Sequence, residues 1–180
     1  MIILITGGSG SGKSEFAENL AVKLKKKDLL YIATMMPQDG ESVKRIARHQ
    51  EQRRDKGFET LECYLDLKGL DIKGSPVVLL ECMSNLLANE MYSEKGVRCT
   101  QGDEFICREI LDGIGCLERS CDHVIIVSNE VFSDNGSVYE ETNQYIHRLG
   151  EINCRIAGLA SCVYEVVCKI PVCQKGGDIL

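Results

Sequence analysis

The sequence predicts an α/β fold with a mostly parallel sheet covered by helices on both faces. Short apolar runs alternate with amphipathic stretches along the chain, the pattern of repeated strand–helix–strand units. Several runs are continuously apolar instead of alternating, as expected of strands buried on both sides. At 180 residues, with no internal repeat and no linker, the chain suits a single domain, residues 1–180.

Each element has a local reason. Ile2–Thr6 is an apolar run ending in glycines and reads as a buried strand. Lys13–Lys26 carries Phe16, Ala17, Leu20, Ala21 and Leu24 on one helical stripe, and Lys25, Lys26 and Lys27 complement the dipole at its end. Leu29–Thr34 reads as a second buried strand. Asp39–Arg54 reads as a helix with Val43, Ile46 and Ala47 as its apolar stripe. Phe58–Cys63 is a weaker strand, and Val77–Leu80 a strong one introduced by Gly74-Ser75-Pro76. Ser93–Asp103 is polar and reads as a surface loop. Phe105–Leu117 is helical, with Ile106, Ile110, Ile114 and Leu117 in register. Val124–Ser128 is a strand. Tyr139–Ala160 is a long helix bearing Ile146, Leu149, Ile152, Ile156 and Leu159. Val163–Cys168 reads as the last strand, and residues 174–180 as a loose tail.

Composition narrows the function. The apolar share is 44% and the formal charge −6. That field favours neither nucleic acid nor an anionic membrane, so an anion site must rest on local positive groups. The start Met1-Ile2-Ile3-Leu4-Ile5 lacks a charged leader region, and no apolar run reaches membrane-spanning length. The expected location is the cytoplasm. Ten cysteines include no Cys-x-x-Cys pair, and only three His accompany them. They read as buried reduced thiols, with Cys82, Cys107 and Cys168 inside apolar patterns.

Gly7-Gly8-Ser9-Gly10-Ser11-Gly12-Lys13-Ser14 matches G-x-x-x-x-G-K-[ST] in full, between a strand and a helix. Glycines let several backbone N–H groups face one anion, and the helix N-terminus adds positive charge. Lys13 would reach the β- and γ-phosphates, and Ser14 would ligate Mg²⁺. Val77-Val78-Leu79-Leu80 places Glu81 at the carboxyl end of a buried strand, on the same edge, as a second metal-site group. The fold class is thus a P-loop NTPase (RecA-like) three-layer fold with a mostly parallel central sheet.

Arg45, His49 and Arg53 are spaced by four and share one helix face. Flanking guanidinium groups attract an anion, and a neutral imidazole among them is a nucleophile for phosphorus. A helix-surface histidine that is chemically inert is the competing reading.

Further motifs carry a resemblance. They are Ile5-Thr6-Gly7-Gly8, Tyr31-Ile32-Ala33-Thr34, Asp39-x-Glu41, Arg45-Ile46-x-x-His49-x-x-x-Arg53, Thr60-x-Glu62, Leu79-Leu80-Glu81-Cys82 with Asn89, Val127-Ser128-Asn129-Glu130-Val131, and Gly150-x-x-Asn153. Over nearly its whole length the chain resembles the bifunctional adenosylcobinamide kinase / adenosylcobinamide-phosphate guanylyltransferase family of cobalamin biosynthesis. The resemblance implies two reactions. The γ-phosphoryl of ATP or GTP passes to adenosylcobinamide, and GMP passes from GTP through the histidine to adenosylcobinamide phosphate, giving adenosylcobinamide-GDP. It makes His49 the nucleophile, with Arg45 and Arg53 holding the phosphorus. It assigns Gln50, Glu51, Gln52, Arg53 and Glu62 to the guanine nucleotide, and Ala33, Thr34 and Met35 to the pocket wall. Family members form trimers. Three segments depart from the family pattern: Met83-Ser84-Asn85-Leu86, Phe132–Tyr139, and Lys169 where Gly commonly precedes Ile-Pro. The alternatives are a P-loop small-molecule kinase without guanylyl transfer and a non-catalytic GTP-binding regulatory protein.

Overall fold

Side-chain direction along the strands explains why the apolar runs do not alternate. In β1 (Ile2–Thr6), Ile2 and Leu4 pack into one core, and Ile3 and Ile5 into another on the opposite face of the sheet. A strand between two helical layers must be apolar at every position. The computed structural model describes residues 1–131 and 138–177. The departing segment 132–137 and residues 178–180 of the expected tail lie outside the described residues.

The chain continues as α1 (Lys13–Leu24), β2 (Leu29–Ala33), α2 (Gly40–Arg53), β3 (Phe58–Glu62), β4 (Val77–Glu81), α3 (Met83–Tyr92), α4 (Val97–Thr100), α5 (Ile106–Ser120), β5 (His123–Val127), α6 (Glu140–Leu159), β6 (Cys162–Val167) and β7 (Ile170–Lys175). The strand order is β3-β2-β4-β5-β1-β6-β7, parallel throughout except for β7. Helix α1 covers one face through Ala17, Leu20 and Ala21. Helices α3, α5 and α6 cover the other through Met83, Leu86, Ile110, Ile114, Leu149 and Ile152. The three-layer expectation holds.

Register decides what the carboxyl edge presents. Glu62 pairs with Ala33, Ala33 with Glu81, Glu81 with Val127, and Val127 with Ile5. One row of the sheet therefore runs beneath the loop that follows β1. The other groups placed near this row come from α1, α2 and the β6–β7 turn.

Four expectations need correction. Val163–Cys168 is not the last strand, and Gln174 and Lys175 are not tail: both belong to β7, an antiparallel edge strand. Its exposure and its Pro171 hid it, since proline is tolerated where a strand is paired on one side only. Ser93–Asp103 is not all loop, because α4 inserts Val97 into the core. The apolar stripe expected on α2 is not buried: Val43 is 52% exposed, and Arg53 is the buried residue of that helix. Helix α2 instead supplies one wall of a cleft at the carboxyl edge. Asp39 caps it, accepting from Ser42 N at 2.7 Å within a reciprocal capping box. All ten cysteines are free, but only Cys63, Cys107, Cys121 and Cys162 are buried; Cys168 is exposed in the β6–β7 turn.

Asn153 is structural. Ser128, fully buried at the end of β5, donates through Oγ to Asn153 Oδ1 at 2.7 Å. Asn153→Ala leaves that hydroxyl without its acceptor and is expected to lower stability by about 1–3 kcal/mol. The urea midpoint should fall with an unchanged slope, and an unmoved midpoint would refute the pairing.

Candidate active site

The loop after β1 takes its shape from backbone that side chains tolerate poorly. Gly7, Gly10 and Gly12 have φ of 154, 72 and 94°. A Cβ on Gly7 would sit 2.6 Å from Val166 O, whereas Gly8 and Gly10 face open space. Gly12 precedes α1, so the helix opens directly from the turn. Lys13, the first residue of α1, is buried and donates through Nζ to Gly8 O at 3.0 Å. Burial lowers its pKa, opposed by Cys82 and Glu81. An anion in the cradle would offset that desolvation.

A cleft of about 500 Å³ opens beside this loop. Its walls bring together most of the residues predicted for the site. Ser9, Gly10, Ser11, Gly12, Lys13 and Ser14 come from the loop and α1. Ala33, Met35 and Glu81 come from strand ends, Arg45, His49, Gln50, Gln52 and Arg53 from α2, and Glu62 from β3. Four predicted residues do not line it. Gly7 and Gly8 form the loop's underside, where Gly7 O accepts from Glu130 N at 3.1 Å and Gly8 O takes Lys13. Thr34 is fully buried and spends its hydroxyl on the backbone of Cys82, donating to O at 2.8 Å and accepting from N at 2.7 Å. It braces the segment after Glu81. Glu51 is exposed and accepts from Arg54 at 3.2 Å. Two residues past His49, it points round the far side of α2.

The floor is a polar chain. Ser14 Oγ donates to Glu81 Oε1, and Tyr31 OH donates to Glu81 Oε2 at 3.3 Å. Burial, and then Glu81, push the Tyr31 phenol pKa up, so it stays a donor. The Arg53 guanidinium stacks over the Tyr31 ring, 3.3 Å from its centroid. Arg53 is 5% exposed, and its Nε and one terminal nitrogen have no partner among the described residues. A buried planar cation with unused donors suits a phosphate. Ser14 and Glu81 are hard oxygen donors placed together at the helix start, and they fit Mg²⁺. A ring nitrogen of His49 and a carboxylate oxygen each of Glu18 and Glu81 lie within 4.8 Å of one another.

The sequence reading missed four neighbours. Tyr31 was legible as a strand residue within a family motif, with no role assigned to it. Glu18 lies one turn after Ser14 on α1 and is buried; that spacing was the available signal. Lys56 reaches it through chain reversal alone. Lys169 lies in the β6–β7 turn with φ of 67°, donates from its backbone N to Ser11 O at 2.8 Å, and lines the cleft. Glycine adopts that backbone most cheaply, which gives the departure at 169 a physical meaning.

The fold and the cleft define a P-loop nucleotide-binding protein with a histidine beside its phosphate cradle. The family model for cobinamide kinase / cobinamide phosphate guanyltransferase matches residues 3–173, and the chain belongs to that family. It is 33% identical over 183 residues to the bifunctional adenosylcobalamin biosynthesis protein CobU of Escherichia coli (strain K12), spanning 96% of this chain and 98% of that protein. It is 32% identical over 176 residues to the bifunctional adenosylcobalamin biosynthesis protein CobP of Pseudomonas aeruginosa, spanning 96% of each. Among solved structures, the ATPase domain of G40P aligns with a TM-score of 0.49 at 10% identity, over 91% of this chain and 68% of that one. Among the described residues, no helix is long and apolar enough to cross a membrane.

Proposed function

We propose that this cleft performs two group transfers in cobalamin biosynthesis. In one, the γ-phosphoryl of ATP or GTP passes to the free hydroxyl of adenosylcobinamide. In the other, GMP passes from GTP to His49 and then to adenosylcobinamide phosphate, giving adenosylcobinamide-GDP. The observation that carries this reading is the approach of His49 to Glu81, the carboxylate bonded to Ser14 of the phosphate loop. A nucleophile and a triphosphate cradle share one cleft.

The chain's own residues have distinct tasks. Backbone N–H groups of residues 9–14 and the Lys13 ammonium bind the β- and γ-phosphates. Ser14 and Glu81 would hold Mg²⁺, which, when bound, neutralises developing phosphate charge. Arg53, stacked and buried, offers its free donors to the α-phosphate, and Arg45 closes over it from the exposed side of α2. Gln50, Gln52 and Glu62 supply polar contacts for guanine. His49 attacks the α-phosphorus, the N–P bond forms as the bond to the bridging oxygen breaks, and pyrophosphate leaves. The acceptor's phosphate oxygen then displaces His49. One domain over residues 1–180, and assembly as a homotrimer in the cytoplasm, complete the reading.

Incubation with Mg²⁺ and GTP labelled at the α-phosphorus tests it, beside a His49→Ala variant. The expected result is label on the wild type that is lost in acid, stable in base and absent from the variant. No label on folded, GTP-binding wild type would remove His49 as nucleophile and leave a plain kinase.

A further inference from the structure

Two carboxylates stand near His49, and only one has an oxygen to spare. Both oxygens of Glu81 accept hydrogen bonds, from Ser14 and from Tyr31. Glu18 is 2% exposed, and its Oε2 accepts from Lys56 Nζ at 2.6 Å. Its Oε1 is buried and has no partner among the described residues. The Nδ1 of His49 is likewise buried and without a partner among them. A ring nitrogen of His49 and a Glu18 oxygen are within 4.8 Å of each other. A buried carboxylate oxygen is costly unless it is bonded, and an imidazole that attacks with one nitrogen carries its proton on the other. Each of these neighbouring side chains thus holds a buried atom still to be satisfied.

A cation held among Glu18, His49 and Glu81 fits less well. Lys56 is bonded to Glu18, Lys13 acts on Glu81, and the Arg53 guanidinium lies over Tyr31, itself bonded to Glu81. Two positive groups already act on the two carboxylates, and a third lies over the tyrosine bonded to Glu81.

We propose that Glu18 is a positioning residue for His49: its free carboxylate oxygen accepts the imidazole N–H and turns the opposite nitrogen toward the α-phosphorus, while Lys56 fixes the carboxylate's orientation. This rests on His49 being the guanylyl acceptor. As the N–P bond forms and pyrophosphate departs, the ring proton stays in its bond to Glu18. The carboxylate offsets the positive charge the ring acquires, and the same contact steadies the ring while the acceptor's phosphate displaces it. The kinase step, which does not use His49, gains nothing from Glu18.

The test combines two measurements. In Glu18→Gln, single-turnover label uptake from α-labelled GTP should fall about 10²-fold or more, the lower range for orienting carboxylates. GTP affinity and the kinase rate should stay within about threefold of wild type. Imidazole ¹⁵N–¹H correlation spectra of the unliganded wild type, with His49 assigned by its loss in His49→Ala, should show one neutral tautomer, and in Glu18→Gln a mixture. The wild-type spectrum needs no variant to fold. A mixed tautomer in wild type, or label uptake in Glu18→Gln within threefold of wild type, overturns the proposal. If wild type takes no label, the guanylyl reading fails on its own account, and the spectrum separately decides the Glu18–His49 contact.

Discussion

Replacing Lys13 by Ala is expected to reduce both group transfers by about 10³-fold while leaving the fold intact. The reason is electrostatic. Lys13 is the buried cation at the head of α1, and its described hydrogen bond goes to the loop's own Gly8 O. The ammonium is thus held over the loop, where on the proposed reading a triphosphate would place its β- and γ-oxygens. A preorganised charge in a water-poor site is worth far more than in bulk solvent, and losing one such donor costs about 10²–10³ in turnover. Two further arguments push toward the upper end. The pKa of Lys13 is lowered chiefly by burial, so the site is desolvated. Among the described residues the other lysine at this loop, Lys169, is exposed, and its Nζ lies 3.3 Å from Glu15. Stability should be unchanged or slightly raised, because a buried charge that is costly to desolvate is removed. Kinase turnover and α-label uptake would be measured beside the thermal midpoint. Full activity in a folded Lys13→Ala protein would sink every reading that uses this loop on a triphosphate.

The largest effect on stability is expected from Tyr164→Ala, at about 3–5 kcal/mol. Tyr164 is fully buried and sits in β6 beside the interior strand β1, paired with Ile5. Its ring meets Phe16 of α1 edge to face, with centroids 5.3 Å apart. Alanine there opens a cavity between the sheet and the helix that begins at the phosphate loop. Set against a typical domain stability of about 5–15 kcal/mol, the loss removes a large fraction. A second consequence is local. With Phe16 unsupported, α1 loosens at its first turn, so KM for GTP should rise at temperatures where the variant is still folded. Urea denaturation gives the first quantity and initial rates the second. A midpoint shift worth under 1 kcal/mol would show that the layer repacks, and the predicted KM change would fall with it.

How much of this was legible beforehand depended on how much of each element's reason is local. The strands β1, β2, β4 and β5 are continuous apolar runs, and the phosphate loop is a contiguous motif whose glycines have one backbone purpose. Those could be read directly. Edge strand β7 could not: Ile170, Val172 and Lys175 are exposed, and the strand exists because β6 pairs with it. Helix α3 was hidden in a segment read only as a departure from the family pattern, although Met83, Leu86, Leu87 and Met91 form a buried stripe. Helix α2 misled in the other direction, since its periodic apolar residues suggested burial, whereas Val43 and Ala47 are exposed and Ile46 is half-buried at the cleft.

The candidate site divides along the same line. Sequence spacing alone determined the phosphate loop, the placing of Glu81 at a strand end and the shared face of Arg45, His49 and Arg53, because each is set by neighbours within a few residues. Tertiary structure decided the rest. It stacked Arg53 on Tyr31, turned Thr34 and Glu51 away from the cleft, and brought Glu18 to His49 and Lys56 to Glu18 from separate elements. Such contacts arise from sheet order and from the placing of α2 beside the carboxyl edge. Both are consequences of packing two cores against one sheet, and no local pattern encodes them.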